Sequence, residues 1–106
     1  MAWVYLLVAG VFEVAFTTAF RFIDGFTRPW PTLLFVIFAT LSFIFLQKAT
    51  TSIPLGMAYA VWTGIGAAGT VIVGLLFFGE PARAMQLLFL VLLIGSIIGL
   101  KLVSGH

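Results

Sequence analysis

The sequence predicts an all-α integral membrane protein, a single domain of four transmembrane helices spanning residues 1–106. Three observations lead there. Apolar residues make up 63% of the chain and charged residues only 8%, where a soluble domain carries about a quarter charged. With a mean hydropathy of +1.29, it has too little polar surface to cover a water-exposed fold. The apolar residues also fall into four runs, each close to the roughly 20 residues that cross a bilayer core. Finally, the runs are continuous rather than alternating, which argues against a barrel, and only helices and closed barrels satisfy the backbone in lipid.

The first helix is expected over residues 2–22. Its opening "MAWVYLL" lacks the basic region of a signal peptide, so it reads as a retained span. In the linker "DGFTRPWP", Asp24-Gly25 is a turn signal, Pro29 and Pro31 discourage helix, and Trp30 suits the headgroup interface. The second helix is expected over residues 32–47, short enough to stand nearly upright. The loop "ATTSIP" brings Pro54 to the start of a third helix over residues 55–78. "GEPAR" forms the third loop, with Pro81 again at a helix start, and the fourth helix covers residues 84–103.

An even number of spans puts both termini on one side, with Lys48 and Lys101. Arg21, Arg28 and Arg83 lie on the other. Cytoplasmic loops carry a clear Lys/Arg excess in most membrane proteins. Three against two hardly specifies an orientation. Two readings stand: a weak bias that still inserts one way, or two orientations that pair antiparallel. The net charge of +2 comes from few charged side chains with no basic cluster, so nucleic acid is not an expected partner. The chain has no cysteine, and its one histidine, His106, is terminal. No metal-ligand spacing exists, and neither an enzyme nor a resident cofactor is expected.

One residue resists this apolar reading. In "AGVFEVAF", Glu13 lies about 16 Å along the helix from Ala2, near the middle of a core about 30 Å thick. A carboxylate at that depth must be protonated, paired or hydrated. Arg21 is about 12 Å further along the same helix, and the other basic residues lie at segment ends or in loops. The remaining candidates are a proton and an external cation. Competition between them is the minimum machinery of an exchanger. The alternative is a permanently protonated acid bonded to a neighbour such as Thr17.

Ala9, Gly10, Phe16 and Thr17 share a helix face with Glu13, and the first two are small enough for another helix to approach. On the third helix, Tyr59 and Trp62 offer aromatic faces to a cation, and Tyr59 can donate a hydrogen bond; both also suit an interfacial belt. Ser42 is placed either to bond Glu13 or to bond back to its own helix. Gly64 and Gly66 permit a bend or a close packing surface. Gly95 and Gly99 form a G-x-x-x-G in a span with no polar side chain between Gln86 and Ser96, which reads as a helix-association surface. An oligomer would shelter the acidic face from lipid. Two antiparallel copies would bring two Glu13 carboxyls to one midplane as an inverted repeat.

The sequence resembles the small multidrug resistance family of bacterial inner-membrane exporters along essentially its whole length. The resemblance rests on "FEV" (Phe12 to Val14), "DGFTRPWP" (Asp24 to Pro31), "IPLGMAYAVWTGIGA" (Ile53 to Ala67), "FFGEP" (Phe77 to Pro81) and "IIGLKL" (Ile97 to Leu102). It implies a four-helix subunit working as an antiparallel, dual-topology dimer that exchanges protons for small organic cations. Glu13 would be the shared proton and substrate site. Tyr59, Trp62 and Ser42 would be its neighbours, Gly64 to Gly66 a bend, and the fourth helix the dimer contact. "WTGIGA" and "IIGLKL" look like the guanidinium-exporting branch. "EVAFTT" instead looks like the drug-exporting branch, for quaternary ammonium and hydrophobic cations. The guanidinium branch usually carries Trp where this chain has Phe16. A homodimer or a paired heterodimer is the expected assembly, with membrane lipid around it. The competing functional classes are an assembly subunit of a larger membrane complex and an uncoupled channel.

Overall fold

The computed structural model describes residues 2–23 and 29–104, so Asp24, Gly25 and Arg28 lie outside the described residues. It contains α1 (Ala2–Phe20), α2 (Pro29–Ala49), α3 (Leu55–Phe77) and α4 (Ala84–Ser104). All four are long and apolar enough to cross a membrane. α2 corrects the sequence expectation: it begins at Pro29, not near residue 32, and runs 21 residues. Pro29 and Pro31 occupy its first turn, where the missing N–H would have no partner anyway and the fixed φ already suits a helix. The second span is therefore full length. Pro54 immediately precedes α3, as expected. Pro81 does not start α4. That helix begins at Ala84, where the Gln86 side-chain oxygen accepts the backbone N–H of Arg83 at 3.3 Å. This reach back from the first turn closes the helix end.

Charged groups mark the two ends of the bundle. Lys48 lies over the Tyr5 ring at 5.6 Å, and Lys101 over the Trp3 ring at 5.3 Å. At the opposite end Arg21 pairs with Glu80. α1 and α3 therefore run in one direction and α2 and α4 in the other. The hydrophobic core gathers at the lysine end, around Leu6, Ala9, Ala49, Ile53, Ala58 and Val61.

Aromatic rings join α1 to α2. Tyr5 and Phe12 stack on Phe45, Phe12 also on Phe38, and Phe16 and Phe20 meet Phe35, with ring centroids 5.6–6.0 Å apart. These residues recur at four- and seven-residue steps on α1 and at three- and seven-residue steps on α2, so a ladder of rings forms along one seam. α4 packs on α3 where Gly64 leaves room for Leu93 and Ile97. None of its described residues is buried in the subunit. Phe89, Val91, Leu92 and Ile98 all project outward, as expected of a helix facing lipid or another subunit.

The arginine end is held by a smaller device. Arg21 also sits over the Phe78 ring at 4.0 Å, and Phe22 touches the same ring. The backbone N–H groups of Phe78 and Glu80 both donate to the Gly74 carbonyl. Gly79 turns the chain at φ 64°, a conformation side chains disfavour. Gly74 leaves the space that the Glu80 carboxylate fills. Both members of the ion pair are about two-fifths exposed (36% and 43%). A double-mutant cycle of Arg21→Ala and Glu80→Ala, read by unfolding in micelles, should return a coupling of only about 0.2–1 kcal/mol that shrinks with salt. A larger, salt-independent coupling would mean that the pair is desolvated.

Candidate functional site

Glu13 points between helices. It is buried, 9% exposed, and its carboxyl lies directly against Gly66 of α3, where any side chain would collide with it. Gly66 therefore provides clearance for the acid. Among the described residues no hydrogen bond or ion pair reaches the carboxyl, and its buried Oε1 has no partner. The arginine nearest in sequence, Arg21, is committed to Glu80. A carboxyl held this way has no counter-charge among the described residues.

The seam between α1 and α3 keeps a regular register. Glu13 meets Gly66, and one turn on Thr17 shares a 2.6 Å hydrogen bond with Thr70. On the neighbouring row, Gly10 meets Ile65 and Gly69 meets Val14. Parallel helices hold such offsets because both advance about 1.5 Å per residue. Thr17 is not the partner of Glu13: its hydroxyl donates to the Val14 carbonyl at 3.0 Å and engages Thr70. That removes the reading of Glu13 as an acid bonded to Thr17. Thr70 escaped the sequence analysis. Its signal was the four-residue step from Gly66, which matches the step from Glu13 to Thr17.

Ser42 follows neither expected course. It is fully buried, donates to the Ala9 carbonyl at 2.7 Å, and accepts the Trp62 indole N–H at 2.9 Å. Three helices are thus joined through one hydroxyl. The Ala9 carbonyl is also the one that takes the Glu13 backbone N–H by the ordinary helical pattern, so this relay ends at the backbone that carries the acid. Buried hydrogen bonds between membrane helices contribute about 0.6–2 kcal/mol each.

The aromatic residues divide. Trp62 is buried and meets the ring of Phe43 at 5.4 Å. Tyr59 touches Trp62 at 5.9 Å but is 56% exposed and makes no bond to Glu13 within the subunit. Phe16 meets Phe35 edge-on at 86° and belongs to the α1–α2 ladder. The fold thus brings Ala9, Gly10, Glu13, Ser42, Trp62 and Gly66 together at the junction of α1, α2 and α3, and leaves Tyr59 on the outer surface. α3 is helical without interruption through Gly64 and Gly66, and both glycines admit neighbours. A Cβ on Gly95 or Gly99 would meet nothing within 4 Å, so that face of α4 is open.

A profile of the Small Multidrug Resistance protein family matches residues 1–93. The chain belongs to this family and is a multi-pass membrane protein. It is 44% identical over its whole length to full-length proteins named guanidinium exporter from Citrobacter freundii and Salmonella typhimurium. It is 42% identical to one from Proteus vulgaris, matching 98% of this chain and all of that relative.

The contact between Gly66 and Glu13 can be tested without reference to transport. Gly66→Ala should destabilise the protein by about 1–3 kcal/mol through overpacking. In a Glu13→Ala background, where the obstructing group is gone, the same substitution should cost much less. Equal costs in both backgrounds would show that Gly66 does not serve the carboxyl.

Proposed function

We propose that this chain is a proton-coupled antiporter that exports small guanidinium-like cations across the bacterial inner membrane, with quaternary ammonium and hydrophobic cations as secondary substrates. The observation that carries this reading is Glu13: an acid buried in mid-span, with clearance made for it by Gly66 and no basic partner among the described residues. Such a group takes up either a proton or a cation, and binding one expels the other. A guanidinium ion presents a planar fork of N–H donors that fits a carboxylate through two parallel hydrogen bonds. The names of the full-length relatives support the same substrate class. They also favour a transporter over an enzyme.

The working unit in this reading is an antiparallel, dual-topology dimer. The unfilled Gly95 and Gly99 face of α4 supports a second copy there, since small residues let membrane helices approach closely. The near-balanced lysine and arginine ends support insertion in either sense. The outward position of Tyr59, beside Trp62, suits a ring shared across the pair.

Glu13→Gln keeps the size of the side chain but cannot release a proton or attract a cation. It should abolish proton-driven guanidinium uptake into liposomes while the protein still elutes as a folded species. Transport at the wild-type rate would end the proposal. Proton release from purified protein on adding guanidinium separates exchange from a channel or a passive assembly subunit.

The competition also sets a pH signature. Below the pKa of the carboxyl, the proton occupies the site, so apparent cation affinity should fall about tenfold per pH unit for each coupled proton. Above it, affinity should level off. Calorimetric titration from pH 5 to 9 tests this, and an affinity flat across that range would contradict competition.

A further inference from the structure

On the outer side of α3 and α4, away from Glu13, lies an open cavity of about 480 Å³. Its walls are apolar: Val71 from α3, and Met85, Phe89, Leu90 and Leu93 from α4. Two polar side chains line it, Arg83 immediately before α4 and Gln86 in its first turn. From Arg83 to Leu93 the groove descends about 15 Å at the helical rise. That is about half of a bilayer core, one leaflet deep.

The charges select the occupant. Among the described residues the acids are Glu13 and Glu80. Glu13 is enclosed between α1 and α3, and Glu80 is engaged by Arg21. Arg83 is exposed and has no acidic partner among the described residues. A cationic substrate would be repelled there. An antiparallel second copy would bring its lysine end alongside, whose described residues carry no acidic side chain. A guanidinium at the mouth of an apolar groove, at leaflet depth, matches a phosphodiester headgroup with its acyl chain below. The Gln86 side-chain oxygen is occupied by the Arg83 N–H, which leaves its amide N–H₂ to donate to the same phosphate.

We infer that the groove between α3 and the first half of α4 binds one anionic phospholipid, its phosphate held by Arg83 and Gln86 and an acyl chain lying along Val71, Phe89, Leu90 and Leu93. The site is separate from Glu13 and does not depend on the transport reading. Its effect is to tie the α4 end of the loop that carries Glu80 to the membrane surface.

Native mass spectrometry of the intact protein with phosphatidylglycerol and with phosphatidylcholine of identical chains tests this. One phosphatidylglycerol per subunit should be retained, with phosphatidylcholine bound at least about fivefold more weakly, the effect of one basic residue at a membrane surface. Arg83→Gln should bring phosphatidylglycerol down to the phosphatidylcholine level. Leu90→Trp, which fills the groove, should reduce both lipids. Soluble glycerol phosphate should not displace the lipid, because it lacks the chain. Equal retention of the two headgroups, or undiminished phosphatidylglycerol on folded Arg83→Gln, would overturn the assignment. The chain has no cysteine of its own, so Phe89→Cys gives a clean second readout. Rapid disulfide formation between two copies at that position would place protein in the groove and also overturn it. Slow crosslinking, with spin-labelled phosphatidylglycerol reaching the thiol, is the expected result.

Discussion

A carboxyl group between two membrane helices, with no basic residue among the described ones to answer it, constrains everything around it. An acid in this position is costly unless its environment is arranged for it. The surrounding residues make that arrangement. Gly66 removes a side chain to make room, and Gly10 and Gly69 let α1 and α3 close on either side. The Thr17–Thr70 bond holds the seam one turn further on. Ser42 then ties α2 and Trp62 to the backbone of α1 one turn before the acid. None of these groups neutralises the carboxyl. They surround it and leave its buried Oε1 without a partner among the described residues.

The two ends of the subunit are held by different means. The lysine end carries the hydrophobic core, where Leu6, Ile53 and Val61 are fully buried. The arginine end combines buried Ala19 and Ile23 with an exposed ion pair, a cation–ring contact and a glycine turn. Buried apolar packing resists displacement. An exposed ion pair contributes little and is easily exchanged for water.

α4 stands apart from this machinery. It lends α3 a few side chains through the gap at Gly64 and otherwise faces outward. Its two halves differ. The half with Gly95 and Gly99 has an open strip at these two glycines, suited to another helix. The half with Arg83 and Gln86 combines a charge with a groove, suited to lipid. The residues gathered around Glu13 come from α1, α2 and α3, and α4 stays outside that cluster.

Much of this was readable before any coordinates. Four spans follow from hydropathy and length, because in lipid a long apolar run has no other backbone solution. Glu13 stands out because a lone acid in such a run is costly wherever the helix packs. The end-by-end sorting of Lys48 and Lys101 against Arg21 and Arg83 follows from counting spans. The true start of α2 was missed because Pro29 and Pro31 were read as breakers, and a proline's effect depends on whether it falls in the first turn. The partners of Ser42 were missed because one of them is the Ala9 carbonyl, and a backbone acceptor carries no sequence signal. The roles of Gly66 and Thr70, and the outward turn of Tyr59, came only from the packing of α1 on α3. Periodicity says which residues share a face. Only the rotation of one helix against another decides which of those residues meet.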